Sequence, residues 1–239
     1  MTYYDLPAPA KLNLFLHVVG QRPDGYHLLQ SVFRLISLSD SITLDLRTDG
    51  VISRDSDMDE HVADVDDLVV KAAHRLKAAT ATNLGAHIVV RKRIPSGGGL
   101  GGGSSDAATV LLGLNRLWRT GLSRSALMSL GLKLGADVPF FLTSKPCWVR
   151  GLGELLEPVP FSLGQWRLLL VCPDISVHTG WAYQRWDAQH QFEQNLAEEN
   201  LTWARLAYKE CCSSGALVLF NSFEQVVFPQ YPELRELKQ

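Results

Sequence analysis

Residues 95–108 hold the feature that most constrains this chain, a glycine-rich segment that reads P-S-G-G-G-L-G-G-G-S-S-D-A-A. Six glycines occupy the seven positions from Gly97 to Gly103. Because glycine has no Cβ atom, such a backbone can approach a ligand closely with its N–H groups. A strand pattern precedes the segment and an apolar helical pattern follows it, which argues against a flexible linker. We therefore interpret it as a phosphate-binding loop that runs into a helix N-terminus, where free N–H groups and the helix dipole favour an anion.

The loop differs from the two best-known nucleotide-binding glycine patterns. In the P-loop pattern a lysine follows the second glycine, and this chain has another glycine there. The dinucleotide pattern G-x-G-x-x-G is matched by Gly97, Gly99 and Gly102, but it needs an acidic residue about 20 positions later. No Asp or Glu occurs between Asp106 and Asp137. A mononucleotide triphosphate is therefore favoured, and a dinucleotide stays an open alternative.

Composition limits the function classes. The chain has 239 residues, of which 46% are apolar, so it can form one large domain or two of ordinary size. Its formal net charge of −2 disfavours extended nucleic-acid binding. It has no signal-like N-terminus and no apolar run of membrane-spanning length, so no membrane partner is expected. The four cysteines lack zinc-site spacing, and we expect thiols in a reducing cytoplasm.

Residues 10–18 alternate between apolar and polar positions and predict a strand. Lys11, Asn13, Phe15 and His17 share one face, and a lysine and an asparagine two apart can address one ligand. An ordinary solvated face is the other interpretation, and the local pattern leaves it open.

The rest of the chain predicts alternating strands and helices. Asp137 follows a helix and precedes a proline, so it serves either as a helix cap or as a functional carboxylate. The other predicted elements are a turn at 23–25, two extended segments within 33–46 broken near Ser39–Asp40, a helix from Asp67 to about residue 83, a strand at 86–91, a helix after the loop closed by Gly121, a helix from Ser123 to Gly135, a buried strand at 166–172 and helical structure over 200–239.

Four motifs together resemble the GHMP small-molecule kinases. They are P-A-K-L-N-L at 9–14, P-D-G-Y-H at 23–27, the glycine segment at 95–108 and L-G-A-D-V-P-F at 134–140. The resemblance implies an α+β fold of two domains, a ribosomal protein S5 domain 2-like domain over residues 1–155 and a ferredoxin-like domain over residues 156–239. The third glycine-rich motif of the family, of the S-G-T-G type, does not occur before Gln239, so an incomplete C-terminal domain is expected.

Within that family, the second and fourth motifs resemble the branch that acts on a diphosphocytidyl-methylerythritol in non-mevalonate isoprenoid synthesis. The resemblance implies ATP-dependent phosphorylation of the 2-hydroxyl of this alcohol. Asp137 matches the catalytic aspartate and Lys11 its partner lysine. A carboxylate at the nucleophile and a cation beside it also suit phosphoryl transfer, which mainly needs alignment and charge stabilisation.

The resemblance implies two further groups of site residues. Asn13, Tyr26, His27 and Tyr183 match positions that hold the substrate and its cytosine. ATP is expected with Mg²⁺, and the ATP-binding positions are Pro95, Ser96, Gly97, Gly98, Gly99, Leu100, Gly101, Gly102, Gly103, Ser104, Ser105, Leu68 and Lys92. No residue is identified as a metal ligand, with Ser104 or Ser105 as a guess.

One departure and three alternatives remain. Asp67 stands where the family commonly has an asparagine, so a carboxylate is expected near the adenine base. The alternatives are a related kinase for another small alcohol such as homoserine or mevalonate, a nucleotide-binding protein without turnover, and a Rossmann oxidoreductase. The group of Tyr26, His27 and Tyr183 distinguishes the first alternative, because a small alcohol without a base has no use for aromatic and histidine side chains that hold one.

Overall fold

The computed structural model describes residues 1–56, 67–160, 167–190 and 220–239. Strands and helices alternate along these ranges, with the two longest strands at the N-terminus. The strands are β1 (Thr2–Gln21), β2 (His27–Arg47), β3 (Ile52–Ser56), β4 (Gly85–Arg91), β5 (Cys147–Arg150), β6 (Leu155–Pro158) and β7 (Phe220–Asn221). The helices are α1 (Leu68–Thr80), α2 (Gly102–Leu117), α3 (Arg124–Leu132), α4 (Val138–Thr143), α5 (Thr179–Gln189), α6 (Glu224–Gln230) and α7 (Pro232–Lys238).

One compact unit comprises residues 1–12 and 35–145. Its strands lie in the order β3-β4-β2-β1, with β3 parallel and β2 antiparallel to β4. Fully buried apolar side chains such as Leu44 and Ile88 lie opposite each other in the β2–β4 register. A Cβ atom at Gly113 would lie 2.4 Å from Leu44 Cδ1, so α2 approaches β2 closely at a position without a side chain. Residues 1–12 and 35–145 therefore form a sheet with helices packed on it.

The second compact unit comprises residues 13–34 and 146–239. In it β1 pairs parallel with β7, and β2 pairs antiparallel with β5, which in turn pairs with β6. Its core brings Phe15 and Trp148 together, with ring centroids 5.6 Å apart. The compact units are thus discontinuous in sequence, and the predicted division at residue 155 stays a prediction.

Most local predictions before residue 145 are confirmed. Asp67 caps α1 through its side chain, Ser123 caps α3, and the strand over 10–18 is part of β1. The predicted polar face of β1 is not a solvated one, because Lys11 is 5% exposed and Phe15 is 4% exposed.

Two local predictions are wrong. β2 is one continuous strand rather than two, because Asp40 is buried in it with its carboxylate bonded to the residues that follow β4. Residues 167–172 form no strand and are exposed, although their apolar run predicted a buried one. Trp166 and the predicted helical residues 200–219 lie outside the described ranges.

None of the helices in the described ranges is long and apolar enough to cross a membrane. Of the cysteines there, Cys147 is buried and Cys172 exposed, and both are free thiols.

Candidate functional site

The glycine loop joins β4 to α2 and has an exposed backbone from residue 95 to residue 99. Gly97, Gly99 and Gly101 have φ values of 75°, 68° and 73°, a region that L-residues with side chains rarely adopt. A Cβ atom at Gly99 would meet nothing within 4 Å. The loop therefore has the conformation and the open space that close approach of a ligand requires.

The N-terminus of α2 has no side-chain cap. Its N-cap residue is Gly101, which makes no side-chain capping hydrogen bond. In this turn Ser105 is buried and its hydroxyl donates to the carbonyl oxygen of Pro9 at 2.7 Å, whereas Ser104 is half-buried. Uncapped N–H groups at a helix N-terminus, together with the helix dipole, favour an anion such as a phosphate.

Lys11 and Asp137 lie beside this loop. The N–H group of Lys11 on β1 donates to the carbonyl oxygen of Leu100 at 2.9 Å, which ties the strand to the loop. The Nζ atom of Lys11 lies 3.5 Å from Oδ2 of Asp137, with the side chains 6% and 32% exposed. Asp137 stands before α4, yet its side chain makes no capping hydrogen bond. Of the two interpretations of Asp137, helix cap and functional carboxylate, this geometry favours the second.

Gly101 is packed between two side chains of this group. A Cβ atom there would lie 2.8 Å from Cζ of Phe141 and 3.2 Å from Cγ of Lys11. A side chain at position 101 would therefore collide with the Phe141 ring and press on the stem of Lys11.

Leu68 and Asp67 lie at the start of α1. Leu68 flanks the loop, since its Cδ1 atom lies 3.7 Å from the position that a Cβ atom of Gly103 would take. Asp67 is 5% exposed, its Oδ1 accepts from the N–H of Val69 at 2.7 Å, and Nε of Arg54 lies 2.7 Å from its Oδ2. The carboxylate that sequence reasoning expected near a base is thus used as a helix cap and an ion-pair partner.

Lys92 is held between two buried carboxylates. Its Nζ atom lies 2.5 Å from Oδ2 of Asp40 and 2.7 Å from Oδ2 of Asp106. Burial raises the pKa of Asp106 to about 7; attraction by Lys92 opposes this rise and repulsion by Asp40 adds to it. Burial opposes the charged form of Lys92, but the two carboxylates outweigh that effect and raise its pKa.

The substrate-binding candidates belong to the second compact unit. Tyr26 follows the turn at Gly25 and is 62% exposed. The ring of His27 stacks on that of Tyr183 with centroids 4.3 Å apart, and its Nε2 lies 2.6 Å from Oδ1 of Asp187. Asn13 is half-buried on β1. The structure therefore brings His27 and Tyr183 together, and their role in holding a base stays a prediction.

Three buried or paired carboxylates were missed from the sequence as site residues. Asp106 lies inside the glycine motif, and Asp40 interrupts an apolar alternation, which is itself a signal of a buried charge. Asp187 lies four residues after Tyr183, so the two share one face of α5. In the described part of the chain no group of three or more His, Cys, Asp or Glu side chains could hold a metal ion.

The chain is similar to known proteins over the residues that form this site. Residues 67–145 match the family model of the GHMP kinases N terminal domain. A curated relative from Bordetella bronchiseptica, named 4-diphosphocytidyl-2-C-methyl-D-erythritol kinase, is 48% identical over 234 residues, which cover 98% of this chain and 74% of the relative. A relative of the same name from Paracidovorax citrulli is 56% identical over 180 residues, covering 74% of this chain and 62% of the relative.

Solved structures give the same grouping. A crystal structure of 4-(cytidine 5'-diphospho)-2C-methyl-D-erythritol kinase superposes with a TM-score of 0.72 at 34% identity, covering 99% of this chain and 81% of that one. A homoserine kinase from Cytophaga hutchinsonii superposes with a TM-score of 0.59 at 16% identity and covers 90% of this chain, a likeness of fold alone. The fold is therefore the mixed α/β fold that GHMP kinases share.

Proposed function

The chain belongs to the 4-diphosphocytidyl-2-C-methyl-D-erythritol kinases, a branch of the GHMP kinases, and on that premise we propose that it transfers the γ-phosphoryl group of ATP to the 2-hydroxyl of this diphosphocytidyl alcohol. It is an enzyme, a small-molecule kinase that uses ATP. The observation that carries the proposed mechanism is the ion pair of Lys11 with Asp137, which lies beside the glycine loop and the N-terminus of α2, where the N-cap residue makes no side-chain capping hydrogen bond.

Asp137 is the proposed acceptor of the hydroxyl proton. As the 2-hydroxyl oxygen bonds to the γ-phosphorus, the bond from that phosphorus to the bridging oxygen of ADP breaks, and the proton moves to the carboxylate. Lys11 supplies a positive charge next to the reacting oxygens, where negative charge develops. Beyond these two side chains, the reaction mainly requires that ATP and the alcohol are aligned. The loop would align ATP by holding its phosphates.

The loop is the proposed triphosphate site. Its N–H groups from Gly97 to Ser105 would hold the phosphates, and Leu68 would line the adenine side. We propose Ser104 rather than Ser105 as the hydroxyl that would accompany Mg²⁺, because the Ser105 hydroxyl is already bonded to a backbone carbonyl. When bound with ATP, Mg²⁺ neutralises and orients the phosphate oxygens.

The group around His27 is the proposed cytidine site. The His27 and Tyr183 rings stack on each other, and exposed Tyr26 beside His27 supplies a ring for a base to stack on. Asn13 would contact the hydroxyl groups of the alcohol. A substrate without a base would make no use of this group, which favours the cytidyl alcohol over homoserine or mevalonate.

The finer division of the fold is proposed on the same premise. We take residues 1–155 as the S5 domain 2-like domain and residues 156–239 as the ferredoxin-like domain. A reducing cytoplasm is the proposed location, since the described cysteines are free thiols.

The test is coupled ADP release with ATP, Mg²⁺ and 4-diphosphocytidyl-2-C-methyl-D-erythritol. We expect turnover in the native chain and a loss of about 10²- to 10⁴-fold in kcat for Asp137→Asn, with the KM for ATP nearly unchanged. Asp174→Asn, an exposed aspartate outside the proposed site, is the matched control and should match the native rate.

Two outcomes would overturn this proposal. Native-like turnover by Asp137→Asn would remove that carboxylate from the reaction. A folded native chain that binds ATP in calorimetry but releases no ADP with the cytidyl alcohol would be a nucleotide-binding protein without this activity.

A further inference from the structure

Asp40, Lys92 and Asp106 form a buried cluster below the glycine loop, which we call the clasp. The two carboxyl side chains are at most 4% exposed and the lysine side chain is 18% exposed. The Lys92 ammonium contacts one oxygen of each carboxylate. The proposed chemistry uses none of these three groups.

The clasp holds the chain on both sides of the loop. Before the loop, Oδ1 of Asp40 accepts from the N–H groups of Arg93 at 2.5 Å and Ile94 at 2.8 Å. After the loop, Asp106 lies within the first turns of α2. Lys92 joins the two ends by contacting both carboxylates. The clasp therefore links β2, the end of β4 and the start of α2 through three side chains.

Between these ends the loop is anchored at Leu100, whose carbonyl oxygen accepts from the N–H group of Lys11. Residues 95–99 are exposed, and only Leu100 of the loop is buried. A Cβ atom at Gly102 would lie 3.2 Å from Ile94 and 3.4 Å from Oδ2 of Asp40, so a side chain at the first residue of α2 would press on the clasp. The direction of the N–H groups of exposed residues 96–99 thus depends on how the loop is held at its two ends and at Leu100.

We propose that the clasp positions the glycine loop for the triphosphate, and that Lys92 acts through the loop backbone rather than by contact with the nucleotide. This inference rests on the proposed function of the loop as an ATP site. The alternative is that the cluster only stabilises the fold. Buried ion pairs are poorly suited to that role, because replacing them by apolar residues is often neutral for stability. Orienting a set of N–H donors, by contrast, requires fixed geometry at both ends.

The test measures the Kd for ATP by calorimetry, which needs no second substrate and no turnover. We expect Lys92→Met to raise this Kd about tenfold or more, because the ends of the loop lose their common partner. Lys133→Met, the loss of an exposed lysine outside the clasp, should change it less than about twofold. Lys92→Arg, which keeps the charge, should retain part of the affinity.

Asp106→Asn separates positioning from direct contact. This side chain is buried and contacts Lys92. Under the proposal the variant therefore also weakens ATP binding, by about threefold or more, and it adds little in the Lys92→Met background. If Lys92 contacted the nucleotide directly, releasing it from Asp106 would leave the Kd unchanged or lower it.

The proposal fails if folded Lys92→Met binds ATP like the native chain, or if the effects of the two variants on the Kd simply add. Circular dichroism establishes whether each variant folds. If Lys92→Met does not fold, the Kd values of Lys92→Arg and Asp106→Asn are compared with that of the native chain instead. Loss of kinase turnover with intact ATP binding would contradict the proposed function but leave this inference standing.

Discussion

Gly101→Ala is the substitution whose effect the structure defines most closely. The residue has φ of 73°, and its Cβ atom would lie 2.8 Å from Phe141 and 3.2 Å from Lys11. A left-handed conformation costs a residue with a side chain about 1–2 kcal/mol. Overpacking against a buried ring adds about 1–3 kcal/mol. We therefore expect the free energy of unfolding to fall by about 2–5 kcal/mol.

Gly99→Ala is the matched control. Its φ of 68° carries the same backbone strain, but its Cβ atom would meet nothing within 4 Å. The free energy of unfolding should therefore fall by about 1–2 kcal/mol in Gly99→Ala. The two variants should differ by about 1–3 kcal/mol, which is the cost of the collision with neighbouring side chains alone.

Urea unfolding of both variants, followed by tryptophan fluorescence, measures this difference. Gly101→Ala should also lower kcat by about tenfold or more, since the added methyl group pushes on the stem of Lys11. Equal stabilities of the two variants, within about 0.5 kcal/mol, would refute the close packing of Gly101 against Phe141 and Lys11.

Three further predictions concern carboxylates. Asp67→Ala should lower stability by about 2–5 kcal/mol in urea unfolding, because α1 loses its cap and Arg54 its partner, while Asp67→Asn keeps the cap and should lose less. The pKa of buried Asp106 is raised to about 7, so the folded chain binds this proton more tightly than the unfolded chain. The free energy of unfolding of the native chain should therefore fall as pH rises from about 4 to about 7. The midpoint of urea unfolding, measured across this range, should fall less with pH in Asp106→Asn than in the native chain. Asp187→Asn should raise the KM for the cytidyl substrate about 2- to 10-fold through His27, with the KM for ATP unchanged in the same coupled assay.

Much of the fold near the loop was predictable from sequence. Strand alternation, helix caps and glycines act over a few residues, so β4, α1 and α3 follow from local rules. Residues 167–172 show the limit, since their apolar run predicted a buried strand and they are exposed without strand structure. Whether an apolar run is buried depends on which distant segment covers it.

The candidate site divides in the same way. The glycine pattern by itself determined that residues 97–101 form a loop that leads into a helix, because backbone freedom and cap chemistry are local properties. Only the tertiary structure decided that Asp137 meets Lys11 across 126 positions of the sequence, and that Lys92 is enclosed by Asp40 and Asp106. Those contacts come from strand order and helix packing, which bring distant charges together, and no short-range pattern encodes them.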